Sequence, residues 1–305
     1  NCYASTTLYG NATVGGIVGN RIESGDISQC YFNQDKAGRK VAVGSSETEE
    51  FGLSAEQMKN SGSFAGWDFS TVWQLSSLYE YPTLRSLYGS GTQDDPYKLR
   101  NAGDFSAIKN TGLQSAGRKN YYIVENNFDT NSIQIGSGEN PFIGSINGAG
   151  HTLRNVAPLF NAIGPGGYVG KLHLKGGRIA YTLTDATVEH CTVVNDRLAV
   201  TNQGGTISNC IVYTNHSDSN NAGKFVNQNL EGGKIKNCGV ISLGISSSGI
   251  GLNSGGFVGN NNNAAIEKCF SFGSVAGGTN VGGFAGRYDN NGKLIYCYSV
   301  GEVHG

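Results

Sequence analysis

The cysteines are the residues of this chain whose type and spacing could do chemistry. There are seven of them among 305 residues, and six stand three positions after an aliphatic residue, as in Ile235-Lys236-Asn237-Cys238. A thiol can close a disulfide, ligate zinc or, as a thiolate, act as a nucleophile. The set comprises Cys2, Cys30, Cys191, Cys210, Cys238, Cys269 and Cys297.

Each of these chemistries meets an obstacle in the sequence. No C-x-x-C pair occurs, which disfavours zinc, and Lys268 is the main positive neighbour that could activate a thiol. Disulfides remain the alternative, because strands of neighbouring turns lie about 4.8 Å apart, within reach of such a bond. In-register side chains nevertheless point the same way, and seven is an odd number. We therefore predict reduced, buried cysteines acting as small hydrophobic residues, and no catalytic residue, metal ligand or cofactor.

The spacing of the cysteines predicts a repeat architecture. Consecutive cysteines are 28 residues apart from 2 to 30, and then 19, 28, 31 and 28 residues apart from 191 to 297. Short β-branched segments bounded by Gly and Asn surround them, which indicates strands. One unit fits one coil of a parallel β-helix, in which the cysteines and the preceding aliphatic residues stack as inward-facing columns.

A glycine motif accompanies the cysteines. The second glycine of each clean copy precedes its cysteine by 13 or 14 residues, so each unit contains two short strands separated by a turn. The clean copies are Gly15-Gly16-Ile17-Val18-Gly19, Gly255-Gly256-Phe257-Val258-Gly259 and Gly282-Gly283-Phe284-Ala285-Gly286, and a degenerate copy is Gly223-Lys224-Phe225-Val226-Asn227.

The composition suits a solenoid with a polar, weakly charged outer face. Charged residues make up 15% of the chain, the net charge is −1 and 47 residues are glycine. This balance gives no electrostatic basis for binding nucleic acid, and no apolar run approaches the roughly 18 residues of a membrane helix. Sequons for glycosylation occur at Asn11 and Asn215.

Residues 46 to 88 interrupt the repeat with a different composition. Ser54-Ala55-Glu56-Gln57 predicts the capped start of a short helix that ends near Asn60. An aromatic group follows, and we favour its interpretation as a cap over the open end of the solenoid. The alternative is an exposed platform for sugars. The aromatic group consists of Trp67, Trp73, Tyr79 and Tyr81.

Residues 89 to 164 have the character of a second beginning. We predict a helix around Ala102 to Lys109, with Phe105 and Ile108 facing inward, and a strand from Tyr121 to Val124. Regular coils follow from about Val169 to the end. The segment typical of the end of a module therefore precedes the segment typical of its start. We predict two domains: residues 1 to 88 are the C-terminal part of one module with its Trp-rich cap, and residues 89 to 305 are the N-terminal part of a second module.

These motifs together resemble those of the GLUG-repeat proteins, which are secreted or cell-surface proteins of bacteria. Gly16-Ile17-Val18-Gly19 is similar to the family's Gly-Leu-any-Gly core, with Ile in place of Leu, and Asn1-Cys2-Tyr3-Ala4 is similar to its Asn-Cys-Tyr strand. The resemblance implies a right-handed parallel β-helix, an extracellular location and an adhesive role. Some relatives attach such repeats to an IgA-type metallopeptidase, whose H-E-x-x-H motif is absent from this sequence.

Parallel β-helices also include enzymes that cleave polysaccharides, so acidic residues near Cys191 form an alternative site. If one strand ran through Cys191, Glu189 would share its parity and face inward. Solvated turn residues explain the group at least as well, and we predict that the protein is not an enzyme. The candidates are Asp185, Glu189, His190, Asp196 and Arg197.

The sequence thus predicts an all-β chain, a right-handed parallel β-helix with short capping helices. Its predicted function is that of a non-enzymatic extracellular structural or adhesive solenoid. Strand edges at a coil end invite stacking on another chain, so the predicted partners are other copies joined head to tail, in a filament. Glycans are the second predicted partner, and neither nucleic acid binding nor membrane insertion is expected. The alternative function is a carbohydrate-binding or polysaccharide-cleaving β-helix.

Overall fold

The protein is described by a computed structural model that covers residues 2–22, 26–46, 51–69, 72–75, 80–84, 87–117, 119–214, 223–242 and 252–305. Contacts between Cα atoms divide the chain into two compact units, unit 1 (Asn1–Ser90) and unit 2 (Gly91–Gly305). Tyr79 and the sequon at Asn215 lie outside the described residues.

Unit 1 contains a parallel sheet and an antiparallel pair within its described residues. Strand β1 (Cys2–Ala4) pairs in register with β2 (Cys30–Asn33), so that Cys2 lies beside Cys30 and Tyr3 beside Tyr31. The third strand pairs in parallel with the other edge of β2, so the three strands lie side by side, as successive coils of a solenoid do. The elements are β1 (Cys2–Ala4), β2 (Cys30–Asn33), α1 (Gln34–Ala37), β3 (Gly52–Leu53), β4 (Trp73–Gln74) and β5 (Thr83–Leu84).

The short helix predicted after Ser54 starts where its cap was expected but is a 3-10 turn. The Ser54 hydroxyl accepts a hydrogen bond from the Gln57 amide at 3.1 Å, and the Gln57 side chain accepts one from the Ser54 amide at 2.8 Å. This reciprocal pair is a capping box. The turn Gln57–Lys59 ends at Asn60, whose extended backbone starts a second turn, Ser61–Ser63.

Unit 2 is a stack of short strands with one helix at its start. The helix is α2 (Ala102–Thr111), and a 3-10 turn follows at Gln114–Ala116. The strands are β6 (Tyr97–Leu99), β7 (Tyr121–Val124), β8 (Phe128–Asp129), β9 (Ser145–Asn147), β10 (Thr152–Arg154), β11 (Phe160–Ile163), β12 (Tyr168–Gly170), β13 (His173–Lys175), β14 (Ala180–Thr184), β15 (Thr187–Glu189), β16 (Thr192–Val194), β17 (Ala199–Gln203), β18 (Thr206–Ser208), β19 (Ile211–Tyr213), β20 (Val226–Leu230), β21 (Lys234–Lys236), β22 (Gly239–Ile241), β23 (Ser254–Gly255), β24 (Val258–Asn262), β25 (Ala265–Glu267), β26 (Phe270–Phe272), β27 (Val275–Ala276), β28 (Val281–Gly282), β29 (Ala285–Asp289), β30 (Lys293–Ile295), β31 (Tyr298–Val300) and β32 (Val303–His304).

Three long sheets, parallel throughout, form the walls of unit 2. Sheet 1 runs in the order β30-β25-β21-β18-β15-β12-β9-β7-β6, sheet 2 runs β31-β26-β22-β19-β16-β13-β10-β8, and sheet 3 runs β11-β14-β17-β20-β24-β29. The chain visits one strand of each sheet in turn and then returns one position further along. The predicted all-β fold, a parallel β-helix with a short helix at the start of this unit, is confirmed.

The core of unit 2 is built from columns of identical or similar side chains. In sheet 1, Val188 pairs with Ile207, which pairs with Ile235, which pairs with Ile266. These four side chains are at most 1% exposed, because the coils on both sides cover them. Helix α2 packs Phe105 over the first coils, where its ring lies 6.3 Å from that of Phe160. Among the described residues, α1 and α2 both fall short of the length and apolarity needed to cross a membrane.

The solenoid begins earlier than the sequence indicated. Regular coils were expected from about Val169, whereas sheet 1 already starts with β6 and β7, where Tyr97 pairs with Tyr122. These early coils lack the cysteine that made the later ones visible. Leu172, for example, occupies the position of Cys191, because the next residues, His173 and Thr192, are register partners.

Candidate functional site

A left-handed corner precedes the cysteines and decides which way each side chain points. His190, Asn209, Asn237 and Lys268 all have φ between 52° and 54°, a conformation that Asn tolerates better than most residues. The corner ends the strand of sheet 1 and turns the chain into sheet 2. It also resets the alternation, so the aliphatic residue and the cysteine three positions later both face inward.

This corner overturns the parity argument made for Glu189 from the sequence. The strand ends at Glu189, and His190 bends the chain before Cys191. Glu189 is therefore half-buried on the outer face, where its Oε1 accepts a hydrogen bond from the Tyr168 hydroxyl at 2.8 Å. The cysteine and the carboxylate do not share a face.

The cysteines of unit 2 form one column along the corner. The amides of Cys191, Cys210 and Cys238 each donate to the Sγ of the next cysteine at 3.4 Å. These three and Cys269 are buried, and Cys297 at the end of the column is half-buried. In unit 1, Cys30 is half-buried and Cys2 is exposed, and all seven cysteines carry free thiols.

The Cys191 and Cys210 thiols are poorly suited to ionic or metal chemistry. The interaction with the Cys210 thiol, followed by burial, raises the pKa of Cys191, and burial raises that of Cys210. Both thiols donate to carbonyl oxygens of the preceding strand, Cys191 to Glu189 at 3.3 Å and Cys210 to Ser208 at 3.1 Å. No group of three or more His, Cys, Asp or Glu within the described residues is placed to hold a metal ion.

A buried asparagine column was missed from the sequence. The Nδ2 of Asn202 donates to the Oδ1 of Asn229 at 2.8 Å, and the Nδ2 of Asn229 donates to the Oδ1 of Asn261 at 2.8 Å. Each Nδ2 also donates to a backbone carbonyl of its own coil. The signal was present, because each asparagine stands three residues after the Ala or Val that opens its strand.

The glycine motif positions a stack of phenylalanine rings. The rings of Phe225 and Phe257 lie 4.5 Å apart at 9°, and those of Phe257 and Phe284 lie 4.8 Å apart at 7°. Gly255 approaches the next coil closely, since a Cβ there would lie 2.7 Å from the Gly286 nitrogen. Between these coils, Lys224 donates to the Ser242 hydroxyl at 2.8 Å and to the Ser274 carbonyl at 2.7 Å.

The predicted cap aromatics form the core of unit 1. Trp67 and Trp73 stack at 4.1 Å and 24°, and Tyr81 accepts a hydrogen bond from the Asn33 side chain at 2.8 Å. All three are buried, together with Leu53, Met58 and Phe64. They therefore do not present the flat exposed face that a sugar platform requires.

The acidic candidates do not converge on one cleft. Asp185 is exposed at the corner before β15, and Glu189 ends that strand. Asp196 lies at the following corner, where it accepts from the Arg178 Nε at 2.9 Å and from the Arg197 amide at 2.7 Å. His190 is exposed, with its Nδ1 4.0 Å from Glu189.

The last coil of unit 2 presents an unpaired strand edge within the described residues. Strands β29, β30 and β31 each lie at the end of their sheet. Tyr288, Leu294 and Val303 of this coil are exposed, whereas their register partners Asn261, Ile266 and Val275 one coil earlier are buried. The exposed apolar residues are Tyr288, Leu294, Ile295, Tyr296, Tyr298, Val300 and Val303.

The chain has limited similarity to known proteins, in sequence and in structure. No family model matches the chain, so the GLUG family is not shown. Over 143 residues the chain is 28% identical to Halomucin of Haloquadratum walsbyi, an alignment that covers 41% of this chain and only 2% of Halomucin. It also resembles a solved structure, a candidate immunoglobulin A1 protease of Bacteroides ovatus, with a TM-score of 0.43 and 20% identity over 71% of this chain and 76% of that one.

Proposed function

We propose that this chain is a non-enzymatic, extracellular structural and adhesive solenoid that joins other copies of itself head to tail. In this proposal the free edge of the last coil in unit 2 pairs with strand β1 of unit 1 from another copy. The match between these two edges carries the proposal.

The two edges have matching side chains at matching positions. The last coil turns through Cys297-Tyr298-Ser299, and unit 1 opens with Cys2-Tyr3-Ala4. In unit 2, Tyr298 pairs with Phe270, and each of the two follows a cysteine. In unit 1, Cys2 pairs with Cys30 and Tyr3 with Tyr31. Stacking of the two edges would continue the cysteine column and the outer aromatic column without a break.

The exposed surface of the last coil favours a covering layer. Leu294 continues the column of Ile235 and Ile266 but has a neighbour on one side only within the described chain. Covering it adds the apolar contact and backbone hydrogen bonds that the middle coils already have. Assembly through such a heterologous contact produces an open filament.

An extracellular, structural role agrees with the chemistry of the chain. The relative named above is, by its name, a mucin, and the low content of charged residues suits a polar solenoid surface. The absence of catalysis is proposed because the carboxylates near Cys191 are dispersed along the coil and two of them are held by Tyr168 and Arg178.

The test measures assembly of the purified chain as concentration is raised. The Tyr298 amide bonds back to Cys269, and alternate residues of a parallel strand bond to opposite neighbours, so the Ser299 amide faces the free edge. Light scattering after size exclusion and negative-stain microscopy should show linear assemblies for the wild type.

Ser299→Pro should abolish these assemblies by removing the amide, and Ser299→Ala, which keeps it, is the matched control. Thermal melting checks that both variants fold. Monodisperse monomers of the wild type at every concentration, the state expected if the covering coil comes from a longer chain, would reject head-to-tail joining. Assemblies that survive Ser299→Pro would reject this edge.

A further inference from the structure

A groove lies on the outer face of sheet 1, at the start of unit 2. Its volume is about 370 Å³, within the range of about 300–1,000 Å³ that is typical of ligand pockets. The side chains that matter for its chemistry are Gln93, Tyr121, Ser145, Asn147, Tyr168 and Lys171.

The register of sheet 1 aligns two tyrosines in this groove. Tyr121 pairs with Ser145, which pairs with Tyr168. The three residues therefore form one outward column, while their neighbours Tyr122 and Val169 point into the core. The two tyrosines are two strand spacings apart, or about 9.6 Å, and the small Ser145 leaves open space between them.

Tyr168 is held in place on the sheet surface. Its hydroxyl donates to Glu189 at 2.8 Å, and a Cβ at Gly170 would collide with its phenol ring, so the ring lies across the glycine. Burial, and then the hydrogen bond to Glu189, raise the pKa of Tyr168. The side chain therefore keeps its proton and presents a fixed aromatic surface.

The Lys119 ammonium lies near the Tyr121 ring, and polar groups surround both rings. Lys119 lies 5.8 Å from the centroid of the Tyr121 ring and donates to the Gly166 carbonyl at 2.9 Å. Asn147 uses its Oδ1 to accept from the Ala149 amide at 3.0 Å, which leaves its Nδ2 as a donor for a ligand. Lys171 is exposed at the rim of the groove.

We propose that this groove binds an extended oligosaccharide. The apolar C–H face of a sugar ring packs on an aromatic face, as apolar groups do generally, while its hydroxyls need donors and acceptors beside the ring. Two rings in one column contact two sugars of an extended chain, and Ser145, Asn147 and Lys171 bind the hydroxyls between and beside them.

The proposal is independent of the head-to-tail joining proposed above. The groove lies on the first coils of unit 2, formed by β7, β9 and β12, whereas the joining edge lies on β29 to β31. A monomeric chain should therefore bind the glycan. Binding would give the solenoid its adhesive contact at a site different from the buried Trp67 and Trp73.

The experiment applies the labelled chain to an array of bacterial, plant and mucin-type glycans. Titration calorimetry with the free oligosaccharide of the strongest hit then gives the affinity. Using the Ser299→Pro chain in parallel excludes multivalent binding by assemblies, so a failure of this site and a failure of head-to-tail joining are distinguishable.

Three variants and a control identify the groove. Tyr121→Ala and Tyr168→Ala should each weaken binding by about tenfold or more, since each loses an aromatic contact. Gly170→Ala should also weaken it, because the new Cβ displaces the Tyr168 ring. Tyr213→Ala, which removes an outward tyrosine of sheet 2, should leave the affinity unchanged. Absence of any hit on the array, or equal affinity in the tyrosine variants, would overturn the proposal.

Discussion

The coil that contains Cys238 and the last coil, which contains Cys297, carry similar side chains in different surroundings. Ile235 is 1% exposed, whereas Leu294 in the same column is 38% exposed. Cys238 is buried and Cys297 is half-buried. The difference does not come from the coils' own sequences, since both have an aliphatic residue three positions before the cysteine. It comes from the neighbouring coils, which cover the Cys238 coil on both sides and the last coil on one side only.

The phenylalanine stack repeats this comparison. Phe257 lies between Phe225 and Phe284 and is fully buried, while Phe284 ends the stack and is half-buried. In such a solenoid the stability of a coil is approximately its own contribution plus one interface term per neighbour. Equivalent substitutions in middle and last coils should therefore differ by about one interface.

The largest expected effect is that of Ile235→Ala. It deletes a side chain covered on both sides and should lower the free energy of unfolding by about 2–5 kcal/mol. Leu294→Ala is the matched variant and, in the unassembled Ser299→Pro chain, should cost less than about 1 kcal/mol, because this position is exposed there. Urea denaturation followed by circular dichroism measures both. Equal costs in the unassembled chain would contradict packing of the last coil on one side only.

The asparagine column should give the next largest effect. Asn229→Ala leaves the Asn202 donor and the Asn261 acceptor without their partner, and should cost about 1–3 kcal/mol. The control is Asn262→Ala, on the outer face, whose Oδ1 accepts from Asn290; it should change stability by less than about 0.5 kcal/mol. A small cost at Asn229 would mean that water replaces the lost hydrogen bonds.

Lys224 should make stability depend on pH in the middle coils. Burial lowers its pKa to about 8, while the unfolded chain has a lysine pKa of about 10.4. Between these values the unfolded state binds more protons, so this residue's contribution to stability rises with pH. Below pH 8 the buried charge is destabilising by a constant amount.

The pH effect is measured as a difference from Lys224→Met. From about pH 8 upward, the unfolding midpoint of the wild type in urea should rise relative to this variant. Lys293→Met, which removes an exposed lysine of the last coil, should show no such trend. Parallel curves for the wild type and Lys224→Met would contradict the assignment.

The last prediction concerns the solvent accessibility of the thiols rather than stability. Brief treatment of the folded, unassembled Ser299→Pro chain with iodoacetamide should modify Cys2 first and Cys297 more slowly, and leave Cys238 unmodified until urea unfolds the protein. Mass spectrometry of the peptides measures each site. Labelling of Cys238 as fast as that of Cys297 would contradict a closed column.

The spacing of the cysteines predicted the fold because the same residue type recurs at one point of successive coils. Columns of mixed composition give no such signal. The asparagine column, for instance, continues into Leu183 on one side and Tyr288 on the other, and the cysteine column continues into Leu172. The first coils were therefore missed. The groove between Tyr121 and Tyr168 was also missed, because the alternation of side chains along a strand does not show which residues of neighbouring strands are paired.

The orientation of Glu189 could not be derived from alternation for a different reason. A single residue in the left-handed conformation inverts the alternation of every residue after it in the strand. The residue types around His190 do not show by themselves that the left-handed conformation falls at this position. The capping box at Ser54 was predictable because two local side chains define it, but the 3-10 geometry that follows depends on where Asn60 ends the turn.

The corner before each cysteine has one more consequence. Its backbone is nearly identical at Gln29, His190, Asn209, Asn237, Lys268 and Tyr296, and all six side chains are exposed. Neutral, cationic, imidazole and phenol groups thus occupy geometrically equivalent sites, so the scaffold tolerates diverse chemistry there. In unit 2 these positions form an exposed column with one variable residue per coil, about 4.8 Å apart. New surface chemistries can evolve in this column without altering the core.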